Sequence, residues 1–303
     1  MVNQYAILSL GALGDTICNY YRNGGIFGQI ASYKRKHPRD RIKVICCSSN
    51  SQTHKLFLDN PDICKVHHVP WALQSVGIKE RNTEFKRLLV GWKSLTPNNK
   101  LPGAKFAPPK LFLNKIEKAL VKSIQQDGKY ILIHPFSSYI SKIKEEEYIS
   151  IIDTMIDDLG YNVVVVGGTY NKSFQQGEPL RKETFEYKRD NLYNLVNQVD
   201  VRVAITLARV AYGYFGTWSA FYCTSWGCPS HPMVLCTADK IQTIDLVNKK
   251  RFGNTKYKKI IVPGAWHVIP NLSDTNRIKR DAAIRNNRQK TRQEVIKHLG
   301  KNI

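Results

Sequence analysis

The sequence predicts an α/β protein of two doubly wound domains, and three observations carry that prediction. Short apolar runs alternate with amphipathic stretches along most of the chain, which is βαβ order and implies largely parallel sheets. The alternation begins twice, at Gln4–Leu10 (QYAILSL) and again at Tyr130–His134 (YILIH). With 303 residues and 42% apolar content, the chain has material for more than one α/β core.

Gln4 to Leu10 reads as a buried first strand and Gly11 to Gly14 as a glycine-rich turn. From Asp15 to Arg35 apolar residues recur at helical spacing, with Asp15 or Thr16 placed to cap the start. Arg41 to Ser48 (RIKVICCS) reads as the second strand and Lys65 to Val69 as a third. Asn98 to Lys110 is rich in Pro, Gly and Asn and marks a loop before a helix at roughly 111–125. The first domain is expected to span 1–126.

In the second alternation, Tyr130–His134 is a strand and Glu145–Leu159 a helix. Asn162–Val166 is a strand so uniformly β-branched that both its faces must be covered. Leu192–Val199, Val201–Val210, Ala211–Phe215 and Met233–Cys236 continue the pattern as helix or strand in turn, giving a second domain over 127–270. The tail 271–303 reads, from Arg277 onward, as a basic helix expected to pack back on the N-terminal domain.

Forty-six Lys and Arg stand against 24 Asp and Glu, a formal net charge of +22. Such an excess costs self-repulsion and raises the local concentration of polyanions, which points to nucleic acid or an anionic membrane face. No apolar run reaches membrane-spanning length and the N-terminus lacks a secretory leader, so a soluble, cytoplasmic protein is expected. Seven cysteines without a CxxC pair or a His at ligand spacing fit a reducing compartment, and no metal site is expected. Adjacent Cys46 and Cys47 on a strand point to opposite faces and do not readily pair.

The chemistry gathers where strands end. Gly11 and Gly14 allow close approach of a ligand to backbone at the end of the first strand. Asp15 has two readings there, a helix N-cap or a general base facing an interdomain cleft. In YILIHPFSS an apolar strand ends in Pro and two hydroxyls, the pattern of a loop that offers donors to an anion. Ser137, Ser138 and Lys142 have the chemistry to hold a diphosphate, and Lys144 reads as helix-start charge. His134 is either a ligand contact or a buried, hydrogen-bonded residue. Gly167 and Gly168, closing VVVVGG, offer room for a base or ribose, with Glu178 and Glu183 beyond as candidate ribose ligands or plain surface charge. Thr217, Trp218 and Ser219 in FGTWS form a small-residue turn at a helix start, an anion site or simple N-capping.

Taken in order, these segments resemble the heptosyltransferase family of glycosyltransferases. GALGDT corresponds to its SLGD-type turn, HPFSS to its HPGAS-type motif, VVVVGG to the following strand and glycine, and Asn194 to Pro229 to its GxDSG segment. The resemblance implies the GT-B architecture, two facing Rossmann-like domains with parallel sheets, here followed by a C-terminal helix. It implies a nucleotide-diphosphate sugar as donor, no cofactor, no metal, and inversion at the anomeric carbon. Asp15 would then be the catalytic base, with His134, Ser137, Ser138, Lys142, Gly167, Gly168, Thr217, Trp218 and Ser219 binding the donor. Gly11, Gly14, Thr16, Lys79, Arg81 and Arg87 would bind the acceptor. The chain departs from the pattern where Trp218 replaces the family's Asp and where its following His is lost near Tyr222.

Those departures and the positive charge together favour an acceptor other than lipopolysaccharide. Basic clusters at Lys34–Arg41, Lys79–Arg87 and Lys249–Lys259, with Trp71 and Trp92 nearby, suit a polyanion with stacking bases. The expected acceptor is a hydroxymethylated base in DNA, flipped out of the duplex. The alternatives are transfer to a lipopolysaccharide or other glycan, and a non-catalytic nucleic-acid-binding module.

Overall fold

The structure, a computed structural model, describes residues 2–10, 13–18, 25–48, 52–70, 77–95, 111–136, 145–168, 184–216, 219–221, 224, 233–237, 257–261, 293 and 296–297. The chain divides into two compact units, the first built from Met1–Ala119 with Asp200–Thr206, the second from Leu120–Gly168, Glu183–Val199 and Leu207 onward.

The first unit holds strands β1 (Gln4–Leu10), β2 (Arg41–Ser48), β3 (Lys65–Pro70) and β4 (Lys93–Leu95), with helices α1 (Leu13–Cys18), α2 (Gly25–Lys36) and α3 (Gly77–Leu89). Its sheet has the order β3-β2-β1-β4 and every pairing is parallel. Ala6, Ile45 and Val69 share one face and pack with Phe85, Leu88, Leu89 and Trp92. Alternate positions Ile7, Val44 and Cys46 are also buried, so the middle strands are covered on both sides, as a parallel sheet requires. Lys43 is buried on the α3 side, where its ammonium donates to the Leu88 carbonyl and lies 4.3 Å from the centre of the Trp92 ring. A cation at the carboxyl end of a helix meets the negative end of its dipole. Burial, and then Lys65, pull the Lys43 pKa below its ordinary value.

The second unit holds β5 (Tyr130–His134), β6 (Asn162–Val165), β7 (Leu192–Asn194), β8 (Gly213–Gly216), β9 (Met233–Thr237) and β10 (Tyr257–Ile261). They form a parallel sheet of order β10-β9-β8-β5-β6-β7. Helix α5 (Glu145–Asp153) runs into a π turn over Thr154–Asp158 and stops at Gly160, whose φ of +63° is a helix-terminating conformation that glycine adopts without strain. Ile131, Ile133, Tyr148, Ile152, Met155, Val163, Val165 and Phe215 make one side of the core. Leu132, Val164 and Tyr214, at the intervening positions, are equally buried.

Two expectations change. The single helix over Asp15–Arg35 is two, α1 and α2, and α1 begins at Leu13. Asp15 and Thr16 therefore lie inside the first helix, past its N-cap position. The helix expected over roughly 111–125 begins later, as α4 (Lys115–Gln126), because Asn114 and Glu117 form a reciprocal cap. The Glu117 amide donates to Asn114 Oδ1 at 2.9 Å and the Asn114 amide to Glu117 Oε2 at 2.8 Å. Of the tail, Ile296 packs against the core of the second unit.

Candidate functional site

Each sheet has a point where strand order reverses, and in open α/β sheets ligands bind outside the carboxyl ends of the strands at that point. In the first sheet β1 is flanked by β2 on one side and β4 on the other. In the second, β5 is flanked by β6 and β8. Three of the motifs singled out in the sequence follow β1, β5 and β8.

At the first reversal, β1 leads into α1, and Gly14 and Asp15 sit in its opening turn. Thr16 is buried, and its hydroxyl lies 3.2 Å from the buried Ser9 hydroxyl. This pair ties α1 to β1. Ser9, Cys46 and His68 are in register across β1, β2 and β3. His54, on the 3-10 turn Thr53–Phe57, stacks on His68 at 4.4 Å with the rings 16° from parallel. Burial lowers the His68 pKa, which favours the neutral ring. The two rings meet because strand register brings His68 to this edge and the 3-10 turn brings His54, a pairing that has no local sequence signature. Arg87, exposed on α3, donates to both Glu84 oxygens at 3.0 and 2.8 Å, which holds the Glu84 carboxyl below its usual range. Lys79 and Arg81 are on the same helix, with side chains outside the described ones; Gly11 lies outside the described residues.

At the second reversal, His134 ends β5 and pairs in register with Gly216, which ends β8. The imidazole is 9% exposed and packed against Phe221 at 4.5 Å, with Phe136 edge-on at 6.0 Å. Burial pushes its pKa down to about 3, so it is neutral at physiological pH. Among the described residues Nδ1 has no hydrogen-bond partner.

The glycines here are small because other groups fill their space. A Cβ on Gly216 would lie 2.7 Å from both the His134 carbonyl oxygen and Tyr214 Oη. One on Gly167 would lie 2.3 Å from Phe136 Cδ2. This corrects the expectation that Gly167 leaves room for a base or ribose, since the Phe136 ring already occupies that room. Gly168 is more open, with Asn197 Oδ1 at 3.9 Å from a built Cβ. Ser219 Oγ is 3.2 Å from Tyr214 Oη, so its hydroxyl has a protein neighbour as well as any ligand. Ser137, Ser138, Lys142, Lys144, Thr217, Trp218, Tyr222, Glu178 and Glu183 lie outside the described residues. Among the described residues no group of His, Cys, Asp and Glu side chains is placed to hold a metal ion, and no helix is long and apolar enough to cross a membrane.

No family model and no curated protein matches this chain. Solved structures do. A glycosyl transferase family 9 protein from Veillonella parvula superposes with a TM-score of 0.60 at 11% identity, over 99% of this chain and 97% of that one. The chain has the GT-B fold of the heptosyltransferase-like glycosyltransferases. ADP-heptose lps heptosyltransferase II of E. coli gives a TM-score of 0.52 at 12% identity, over 94% of this chain and 99% of that chain. The E. coli heptosyltransferase WaaC, bound to ADP-2-deoxy-2-fluoro heptose, gives 0.53 at 8% identity, over 92% and 99%. Coverage of this extent means that both units, and not one Rossmann-like half alone, are matched in the glycosyltransferase fold.

Proposed function

We propose that this protein transfers a sugar from a nucleoside diphosphate sugar to a hydroxyl acceptor. One observation carries the reading: a fold shared over nearly the full length with glycosyltransferases, in which the candidate chemistry of this sequence falls at the strand-order reversals. Asp15 is assigned as the base. The acceptor oxygen attacks the anomeric carbon as its proton passes to the Asp15 carboxylate, and the bond from that carbon to the diphosphate oxygen breaks. Ser137, Ser138, Lys142, Thr217 and Ser219 are assigned to the departing diphosphate, where hydroxyl donors and one ammonium offset the developing charge without a metal. Attack from the face opposite the leaving group makes the transfer inverting.

For the acceptor, a glycan is the better supported class, because one of the similar structures is named for lipopolysaccharide transfer. An anionic glycan also suits the net charge of +22. That same charge favours a second reading, a hydroxymethylated base in DNA, which none of the similar structures supports by name.

The test is to incubate purified protein with a panel of nucleotide sugars and three acceptors: a lipopolysaccharide core oligosaccharide, duplex DNA containing hydroxymethylcytosine, and unmodified duplex. Products are read by mass. A sugar increment on the oligosaccharide supports the first reading, and one on the modified nucleoside alone supports the second. Salt-sensitive DNA binding with no binding of any nucleotide sugar would replace both with a non-catalytic nucleic-acid module.

A further inference from the structure

At the amino edge of the first sheet, α2 and α3 end and β2, β3 and β4 begin. Arg35 and Lys36 stand in the last turn of α2, Arg39 in the turn that follows, and Arg41, Lys65 and Lys93 open the three strands. Register sets Arg41 beside Gln4, Lys65 beside Lys43 and Lys93 beside Tyr5. A cation or two there would answer the helix dipoles. All six are exposed, however, and among the described residues none is paired with a carboxylate. The acids on these segments are largely engaged: Asp40 accepts from Tyr33 and Asn3, Glu84 takes Arg87 and Asp59 takes Arg202, which leaves Asp62 against six cations. Two exposed apolar side chains share the edge, Val2 at 51% and Val90 at 76%. Val90 is held at the tip of a turn, closed by the Trp92 amide donating to the Leu89 carbonyl at 2.9 Å, with Gly91 at a φ of +75°. Such tips are ordinarily polar.

We propose that this edge is a peripheral docking surface for an anionic lipid bilayer, its cations meeting headgroup phosphates while Val90 and Val2 enter the interface. Each Lys or Arg brought to an anionic bilayer contributes about fivefold in affinity, and apolar side chains among the cations add burial that a purely charged ligand cannot offer. The aromatic rings argue against nucleic acid as the partner. Trp92 carries Lys43 at 4.3 Å and Arg41 at 5.8 Å, Tyr5 carries Lys93 at 5.9 Å, and Tyr33 lies against Tyr5 and His37. These rings are engaged with cations and with one another, where stacking on bases needs open faces. The surface is separate from the candidate site, which follows the carboxyl ends of the strands. Over the seven residues of β1 the two edges stand about 20 Å apart, so the inference does not rest on the sugar-transfer reading.

The test is co-sedimentation of the full chain with vesicles of phosphatidylcholine alone and of phosphatidylcholine with phosphatidylglycerol in equal parts, with duplex DNA titrated alongside. The natural protein should bind the mixed vesicles and not the neutral ones. Replacing Arg35, Lys36 and Arg39 together by Gln should weaken that binding at least about tenfold. The same change at Lys115, Lys118 and Lys122, exposed on α4, removes equal charge elsewhere and should leave it within about twofold. Val90→Ser should weaken it about threefold, through lost apolar burial. Lys65→Gln with Lys93→Gln, on two other strands, should cost about fivefold or more and serves if the first triple variant does not fold. Equal losses in the two triple variants overturn the inference, because the attraction then belongs to net charge and not to this edge. Vesicle binding unmoved by Val90→Ser overturns it too, since no side chain then enters the interface. Duplex binding that is lost with Arg35, Lys36 and Arg39, without any binding to mixed vesicles, replaces the bilayer with nucleic acid.

Discussion

Arg202 Nη2 stands 2.8 Å from Glu117 Oε1, and the two side chains are only 8% and 12% exposed. The same guanidinium donates through Nη1 to Asp59 Oδ2 at 2.8 Å and to the Phe112 carbonyl at 3.1 Å. Lys55 adds a second cation, 2.9 Å from Asp200. Burial opposes the charge on Arg202, but Asp59, Glu117 and Asp200 outweigh it and raise its pKa. Removing Arg202 would strand Glu117, so Arg202→Met should cost about 3 kcal/mol or more in urea unfolding. Adding Glu117→Leu should recover part of that loss, because no carboxylate is then left buried alone. Additive losses would show that the pair is not coupled.

His134 sets a pH dependence of stability. The unfolded imidazole takes up its proton near the ordinary 6.5 and the folded one only at about 3. The unfolded state therefore binds more protons throughout that interval, so this contribution is complete above about 6.5 and is lost as pH falls toward 3. His67 and His68, also lowered by burial, add slope of the same sign. Asp40 acts lower on the scale: the Tyr33 hydroxyl and the Asn3 amide hold its carboxyl below the usual 3.8, so its contribution begins to fade below about pH 5 and is lost as pH falls through the folded value. Unfolding midpoints between pH 7 and 4 should flatten in His134→Gln, while Asp40→Asn should leave the part of that interval above about pH 5 unchanged.

Gly216→Ala should destabilise by about 2 kcal/mol, because the added methyl meets a backbone carbonyl that has no freedom to retreat. The obstructing atom is the His134 oxygen at 2.7 Å. Gly160→Ala provides the contrast, with nothing within 4 Å of the new methyl and a φ of +63°. There the cost is conformational, about 1 kcal/mol. Thermal or denaturant melts of the two variants rank the mechanisms; equal losses would mean that the Gly216 strand end shifts to accommodate the methyl.

Asp15→Asn should lower turnover by about a hundredfold or more and leave donor affinity within about twofold, since a base acts on the acceptor proton in the transition state and not on the bound donor. Single-turnover rates and donor titration measure the two separately. A matching loss of donor binding would assign Asp15 to the structure of α1.

Two parallel α/β domains were legible in the sequence because a buried parallel strand must be apolar on both faces, and QYAILSL, YILIH and NVVVV state that requirement locally. Glycines and hydroxyls after β1, β5 and β6 were legible for the same reason, since chemistry in such sheets follows strand ends. The later start of α4 was also written in the chain, as Asn114 and Glu117, but a reciprocal cap is easily passed over beside a proline-rich loop. Sequence alone thus determined the fold class and where its parallel strands end. Only the tertiary structure decided that Gly167 is filled by Phe136, that His134 is a neutral ring beside Phe221, and that Arg202 gathers Asp59 and Glu117. Local propensity reports on neighbours along the chain, whereas space, desolvation and charge pairing are settled by residues that folding brings together from far apart.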